Sequence, residues 1–332
     1  MAYTSINKST EHFNTKLYTG NGSSGHSITG VGFQPDWVWI KNRQQSYSHF
    51  LTDSVRGVTK EIYSDSSGAE YTRSNGLTAF GTDGFTVGDN NGHNQNGNNL
   101  VAWNWKAGTT GSGTTTGSGT GKAYSYSVNT TAGFSIVKYI GNGSSGHTIP
   151  HHLGAVPKWI LVKNLDNTGG WAWRVYHASI GATKRLFLNT SDAEGTDSTA
   201  WNDTSPTSSV FTVGNSTGTN SNNENLIAYC FAEKTGYNKF GKYTGNGNAD
   251  GTFVYTGFRP GFVIIKKTNG SENWSMYDTK RNTNGTTNTL PLVAEDTGAE
   301  SGFTGKNMDI LSNGLKMKTS NGELNGSGDT YI

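Results

Sequence analysis

The chain has 332 residues, with 26 Lys and Arg against 24 Asp and Glu, a formal net charge of +2 and only 15% charged residues. That balance excludes a nucleic-acid binder working through bulk charge, and no Lys/Arg run compensates for it. Forty-six glycines would suit a disordered chain, but 9 Trp, 15 Tyr and 14 Phe would not, because disorder goes with few aromatics. The composition is that of short strands joined by tight turns. One cysteine, Cys230, permits no internal disulfide. The N-terminal stretch lacks the apolar core of a signal peptide, and no apolar run approaches the ~20 residues of a membrane helix. The expectation is a chain that folds in a cytosol without membrane insertion.

In chain order, residues 1–15 lie outside any repeat and are expected to form an N-terminal anchor segment. A repeat then begins. "LYTGNGSSGHSIT" (Leu17–Thr29) returns as "KYIGNGSSGHTIP" (Lys138–Pro150) and as "KYTGNGNADGTFV" (Lys242–Val254). Each phrase is followed by a proline, an apolar run and a lysine: "QPDWVWIKN", "VPKWILVKN" and "RPGFVIIKK". A short run rich in Val, Ile and Trp with Pro at its mouth predicts a buried strand. Next come "SYSHFLTD", "WAWRVYHA" and "NWSMYDTK", whose alternating aromatics predict a half-buried strand. "GVTKEIYSDSSGAE", "GATKRLFLNTSDAE" and "TNTLPLVAEDTGAE" follow, then "DGFTVGD", "SVFTVGN" and "NGLKMKT". The closing strands are "NNLVAWNWKAG" and "ENLIAYCFAEK". The third copy stops at "GDTYI", so its last strand is incomplete and leaves an edge open to pairing.

The pattern predicts an all-β chain of three tandem antiparallel β-sandwiches, jelly-roll or lectin-like, at 16–107, 123–236 and 237–332. Residues 108–122, almost all Gly, Ser and Thr, predict a flexible linker. The second and third copies should therefore pack together, with the first standing apart. Eleven Asn-Gly pairs predict turns with φ > 0 at both central positions. Helical periodicity is absent. The Gly-Asn-Gly phrase reads as a turn after each opening strand; a phosphate-cradling loop would need a following helix.

Several stretches resemble a repeat family of marine tailed phages, found in cyanophages and pelagiphages. They include "MAYTSINKSTEHFNTKLYTGNGSSG", "GFQPDWVWIKNR", "VYHASIGATKRLFLNTSDAE" and "IAYCFAEKTGYNKFGKYTGNGNADGTFVYTGF". The resemblance implies β-sandwich repeats in a virion-associated protein: a tail fibre, or another tail- or capsid-surface appendage. It offers no catalytic residues. Other family members complete the third closing strand with an apolar-aromatic segment, which this sequence lacks.

Residues present in every copy most simply serve the shared fold, which covers Glu70, Glu194 and Glu300 as well as Lys41, Lys163 and Lys266. A glycosidase needs one carboxylate pair in a single constellation, not three copies. His147, His151 and His152 cluster, and His26 matches His147, but no second metal-ligand pattern accompanies them; they read as solvent-facing turn residues. Cys230 on an apolar strand reads as a small hydrophobe. No catalytic residue, metal or cofactor is expected. Exposed aromatics beside polar loops suit sugar binding, so Trp201, Trp171, Asn94 and Asn220 are the candidate glycan or receptor contacts. Tyr331 and Ile332 are candidate edge-strand or oligomer contacts. The function expected is a non-enzymatic structural and adhesive virion protein, made in the host cytoplasm and acting by multivalent contacts. Its expected partners are other virion proteins, further copies of itself and host surface glycans. The alternatives are a lectin-like module whose main activity is carbohydrate binding, and a glycan-cleaving enzyme.

Overall fold

The structure, a computed structural model, describes residues 4–166, 169–281, 290–300 and 305–332. The chain is all-β with multiple antiparallel sheets. The helices among the described residues are three single turns, Asn91–Asn94, Ser198–Trp201 and Thr217–Asn220, and a 3-10 turn at Ser9–Glu11.

The first two copies each build a six-stranded sheet, and the third places its strands in smaller sheets in a similar order. In the first, the opening strand Phe13–Thr19 pairs with the closing strand Asn99–Trp105, which pairs with the proline-led strand Trp37–Asn42. Phe50–Asp53, Lys60–Tyr63 and Tyr71–Thr72 extend it. In the second, Phe134–Ile140, Asn225–Ala232, Pro157–Asn164 and Arg174–His177 take the corresponding places. In the third, Tyr243–Thr244 pairs with Thr330–Tyr331, while Phe262–Lys266 pairs with Trp274–Asp278. The two halves meet through a bridge between Lys267 and Tyr331.

The pleat divides the side chains between two cores, because successive residues face opposite ways. Val38, Ile40, Leu100 and Ala102 pack with Ile28, Phe85 and Val87 of a smaller sheet formed by His26–Thr29, Gly84–Val87 and Leu77–Gly81. Trp37, Trp39, Val101 and Trp103 face the other way, into a central cluster. That cluster also takes in Phe134, Trp159, Leu161, Trp173 and Tyr229 of the second copy and Trp274, Met276 and Leu292 of the third. Trp37 stacks on Tyr229 with ring centres 4.3 Å apart. The predicted buried strands of the first two copies are thus buried on both faces, whereas in the third Phe262, Val263 and Ile264 are only partly buried. Phe50–Asp53 and Trp274–Asp278, which the sequence pattern had suggested would be half-buried, are also buried on both faces: their second face meets the neighbouring copies.

The expectation that the first copy stands apart is overturned, since all three share one centre. The expected linker is also corrected. Thr109–Thr114 pairs with Ala123–Asn129, and Thr116–Gly117 with His147–Pro150, so these residues extend the second copy's sheets. Glycines let the rings of Tyr126 and Tyr124 lie over the strand: a Cβ on Gly111 would sit 2.6 Å from the Tyr126 hydroxyl oxygen. A composition that suits a flexible linker here suits a strand covered by aromatics. The N-terminal segment packs onto the molecule as well: Ile6 is buried and the opening strand starts at Phe13, inside the expected anchor. Residues 1–3 of that segment, and 287–289 of the third copy's "TNTLPLVAEDTGAE", lie outside the described residues.

Candidate functional site

The repeated Gly-Asn-Gly phrase is one half of a clamp whose other half is a buried asparagine. Asn94 Oδ1 accepts from Asn21 N at 2.9 Å, and Asn94 Nδ2 donates to Asn21 Oδ1, Ser23 O and Gly88 O. Asn220 does the same with Asn142, Ser144 and Gly214, and Asn325 with Asn246, Asn248 and Thr319. The phrase asparagines use their own side chains to close the turn: Asn21 Oδ1 accepts from Ser23 N at 2.9 Å. None of the described Asn-Gly asparagines has positive φ, which corrects the predicted turn type; the side-chain acceptor closes the bend instead. The first glycine is needed for close approach, since a Cβ on Gly20 would lie 2.2 Å from Gln95 O.

Asn94 and Asn220 are therefore fully buried fold residues, not the glycan contacts expected. Trp201 is also buried, edge-on to Tyr176; its one-turn helix folds the ring inward. Trp171 stays partly exposed, and its carbonyl accepts from Lys163 Nζ at 2.9 Å. Tyr331 is buried and stacked on Tyr243 with centroids 4.8 Å apart, so it is closed to a partner; Ile332 packs at the rim of the central cluster. His147 and His151 are buried rather than solvent-facing. His147 Nδ1 lies 2.9 Å from Asn220 Oδ1, within the clamp. Cys230 is buried, and burial pushes its thiol pKa up. Among the described residues no group of three metal-ligating side chains converges. Among the described residues, the aromatics that the fold leaves exposed are Tyr71, Phe253 and Tyr255, at 52%, 43% and 63% exposure.

The recurring lysines and glutamates mark a ring of three junctions. Lys163 Nζ donates to Ser67 O, Lys266 Nζ to Ser191 O, and Lys41 Nζ to Thr297 O, at 2.7–2.9 Å. The second copy thus reaches the first, the third reaches the second, and the first reaches the third. The same circuit is followed by backbone bonds: Glu70 N donates to Leu165 O, Glu194 N to Thr268 O and Glu300 N to Arg43 O. It is followed again by rings. Trp173 Nε1 donates to Tyr63 O and Trp274 Nε1 to Phe187 O, while the ring of His49 faces the backbone of Val293 and Asp296. The lysines are buried among carbonyl acceptors, and burial lowers their pKa values to about 8 for Lys41, about 7 for Lys163 and about 8 for Lys266. Lys163 is lowest because Arg174 adds repulsion, whereas acidic neighbours support the other two.

Two junctions carry a further clamp. Arg56 Nε bonds Asp53 Oδ2 at 2.5 Å, Arg56 Nη1 bonds Glu70 Oε2 at 3.2 Å, and Tyr229 of the second copy donates its hydroxyl to Asp53 Oδ2 at 2.7 Å. Arg281 bonds Asp278 and Glu300 in the same way, and Trp103 Nε1 of the first copy donates to Asp278 Oδ2 at 3.1 Å. In the second copy the Asp and Arg positions are His177 and Ile180. His177 lines a cavity of about 690 Å³, together with Trp105, Phe134, Trp159, Phe262 and Ile332. The clamp was legible as Asp-x-x-Arg at Asp53–Arg56 and Asp278–Arg281, a spacing shared by two copies.

Residues 8–332 match a domain family of unknown function, DUF7483. The chain belongs to the DUF7483 family. No curated protein and no solved structure matches it. In this DUF7483 chain, the three-way junction and the cavity beside His177 are the features with the most developed geometry.

Proposed function

We propose that this DUF7483 chain is a non-enzymatic structural and adhesive component of a phage virion, built from three tandem β-sandwich units closed into a pseudo-threefold block. The observation that carries the reading is the closed circuit of junctions. The residues that recur in every copy, the Lys, Glu and Asn sets, are used in holding copies together or in holding each copy's turns. Conserving a polar residue across copies for such contacts suits a block that must stay rigid. The resemblance to virion-associated repeats of marine tailed phages supplies the setting. A near-neutral surface limits non-specific sticking, and the exposed pair Phe253 and Tyr255 on one strand offers an apolar contact patch. Weak contacts of that kind become effective when many copies present them together.

Localisation in a whole-particle electron-microscopy map tests the reading. Density fitting the block at a tail or capsid surface is expected, together with antibody labelling of intact particles. Particles that contain no such density and no labelled chain would overturn it.

A further inference from the structure

The second copy carries two arginines where the first carries a balanced set of charges. The phrases Gly57–Tyr63 and Gly181–Phe187 put Arg185 at the place of Glu61 and Phe187 at the place of Tyr63. Lys184 and Arg185 pair with Thr196 and Gly195 as Lys60 and Glu61 pair with Thr72 and Tyr71, so Asp197 takes the place of Arg73. Arg174 lies opposite Val162 as Phe50 lies opposite Ile40, and so takes the place of Phe50. Glycines make room for both guanidiniums: a Cβ on Gly218 would lie 3.0 Å from Arg174 Cζ, and one on Gly195 would lie 2.5 Å from Arg185 Nη1.

In the first copy Arg73 Nε donates to Glu61 Oε2 at 2.9 Å and Arg73 Nη2 to the Tyr63 hydroxyl at 3.1 Å. In the second, two arginines share one aspartate: among the described residues Asp197 is the one carboxylate in an ion pair with either. Asp197 Oδ1 is taken by Thr199 N at 3.1 Å and by the Thr199 hydroxyl at 2.6 Å, and its Oδ2 stands 3.4 Å from Arg185 Nε. The change from Tyr63 to Phe187 removes a hydroxyl acceptor as well. The Nε atoms of Arg174 and Arg185 are buried without a hydrogen-bond partner among the described residues. Arg174 Nη1 donates to Ala172 O at 3.0 Å. Both guanidinium carbons lie over the Phe187 ring, 4.6 and 3.9 Å from its centre, a contact that attracts a cation but supplies no countercharge. Burial lowers the Arg174 pKa to about 10, with Asp197 opposing and Arg185 adding to the fall. The cluster thus holds more positive charge than its carboxylate neutralises, yet it is reachable, since the Arg185 side chain is 23% exposed.

We propose that Arg174 and Arg185 form a binding site for a tetrahedral oxyanion, phosphate or sulfate. The ligand supplies the countercharge that the fold omits. A tetrahedral group fits two guanidiniums better than a carboxylate does, because its acceptor oxygens do not lie in one plane and each planar fork can take its own. The site goes beyond the virion reading and does not depend on it.

The test is a titration of the full chain with inorganic phosphate at constant ionic strength, set with sodium chloride and read from the arginine Nε–H resonances. Those of Arg174 and Arg185 are expected to move saturably while that of Arg73 stays in place. Arg185→Gln should weaken the binding seen at Arg174 by about tenfold or more, as the loss of charged hydrogen bonds predicts, and Arg185→Lys, which keeps the charge without the fork, should fall between. An unchanged Arg73 resonance shows that each variant is folded. A second titration with methyl phosphate separates the sources. Movement with inorganic phosphate alone makes the free ion the occupant; movement with methyl phosphate makes it a phosphate group borne on a larger molecule. No movement with either, equal movement of Arg73, or full affinity in Arg185→Gln would refute the proposal.

Discussion

The junction between the first and third copies and the junction between the third and second use the same lysine, glutamate and ring contacts, yet only the former has the Arg281–Asp278–Glu300 clamp met by Trp103. At the latter, His177 and Ile180 stand in the Asp and Arg positions beside an open cavity. A buried ion pair and its aromatic donor go together: an Asp and Arg taken out of water need every remaining acceptor and donor satisfied. At His177 and Ile180 a neutral imidazole and an aliphatic side chain carry no such requirement. The difference teaches that the ring is held everywhere by backbone and lysine contacts, and that charge is added only where its partners are complete.

The sharpest way to break that comparison is to remove the charge from each junction. Arg281→Met should destabilise the fold by about 3–5 kcal/mol, because the buried Asp278 carboxylate loses its countercharge, and Arg56→Met should behave alike at Asp53. Ile180→Met should stay under about 1.5 kcal/mol, as a volume-conserving apolar exchange. Chemical denaturation of the three variants checks the contrast; equal losses would show that the clamp positions are energetically equivalent.

A smaller effect is expected where all three copies agree. Asn94→Ala, Asn220→Ala and Asn325→Ala each strip the partner from one buried carbonyl, Gly88 O, Gly214 O or Thr319 O, at about 1–3 kcal/mol, the remaining partners lying where water can replace the amide. Asn325→Ala should also increase proteolysis near Asn246 more than its counterparts do near Asn21 and Asn142, since the third copy's closing strand has only two residues in register. Limited proteolysis with site mapping measures this.

The smallest effect is in pH. Lys163 has a folded pKa of about 7 against an ordinary 10.5. Between those values the unfolded chain holds a proton that the folded chain lacks, so stability rises with pH there, by at most about 1.4 kcal/mol per pH unit for one proton. Lys41 and Lys266 join from about 8 upward. Cys230 and the buried tyrosines, with pKa values raised by burial, oppose the rise once the pH passes their ordinary values of 9 and 10. Urea midpoints across pH 7–9 should therefore climb in the native chain, and Lys163→Met should lower that slope.

Much of the fold was legible in the residues. The repeat, the proline-led apolar strands and the closing strands required only spacing and composition, because burial on both faces leaves an unbroken apolar run. The structural role of the recurring Lys and Glu residues followed from their presence in each copy. Trp201, Asn94 and Asn220 were misread because an aromatic or amide in a polar loop looks exposed until one knows what folds over it. The stretch 108–122 misled for the same reason: its glycines are covered by Tyr124 and Tyr126, which lie later in the chain.

The sequence by itself determined that the chain is all strand and written in triplicate, since strand period and turn chemistry are local properties that survive without neighbours. Only the tertiary structure decided that the copies close head to tail around one core and which polar residues are buried in that closure. Those outcomes depend on contacts between residues a hundred or more positions apart, such as Lys41 with Thr297, and no local pattern encodes which distant carbonyl will accept a buried lysine's proton.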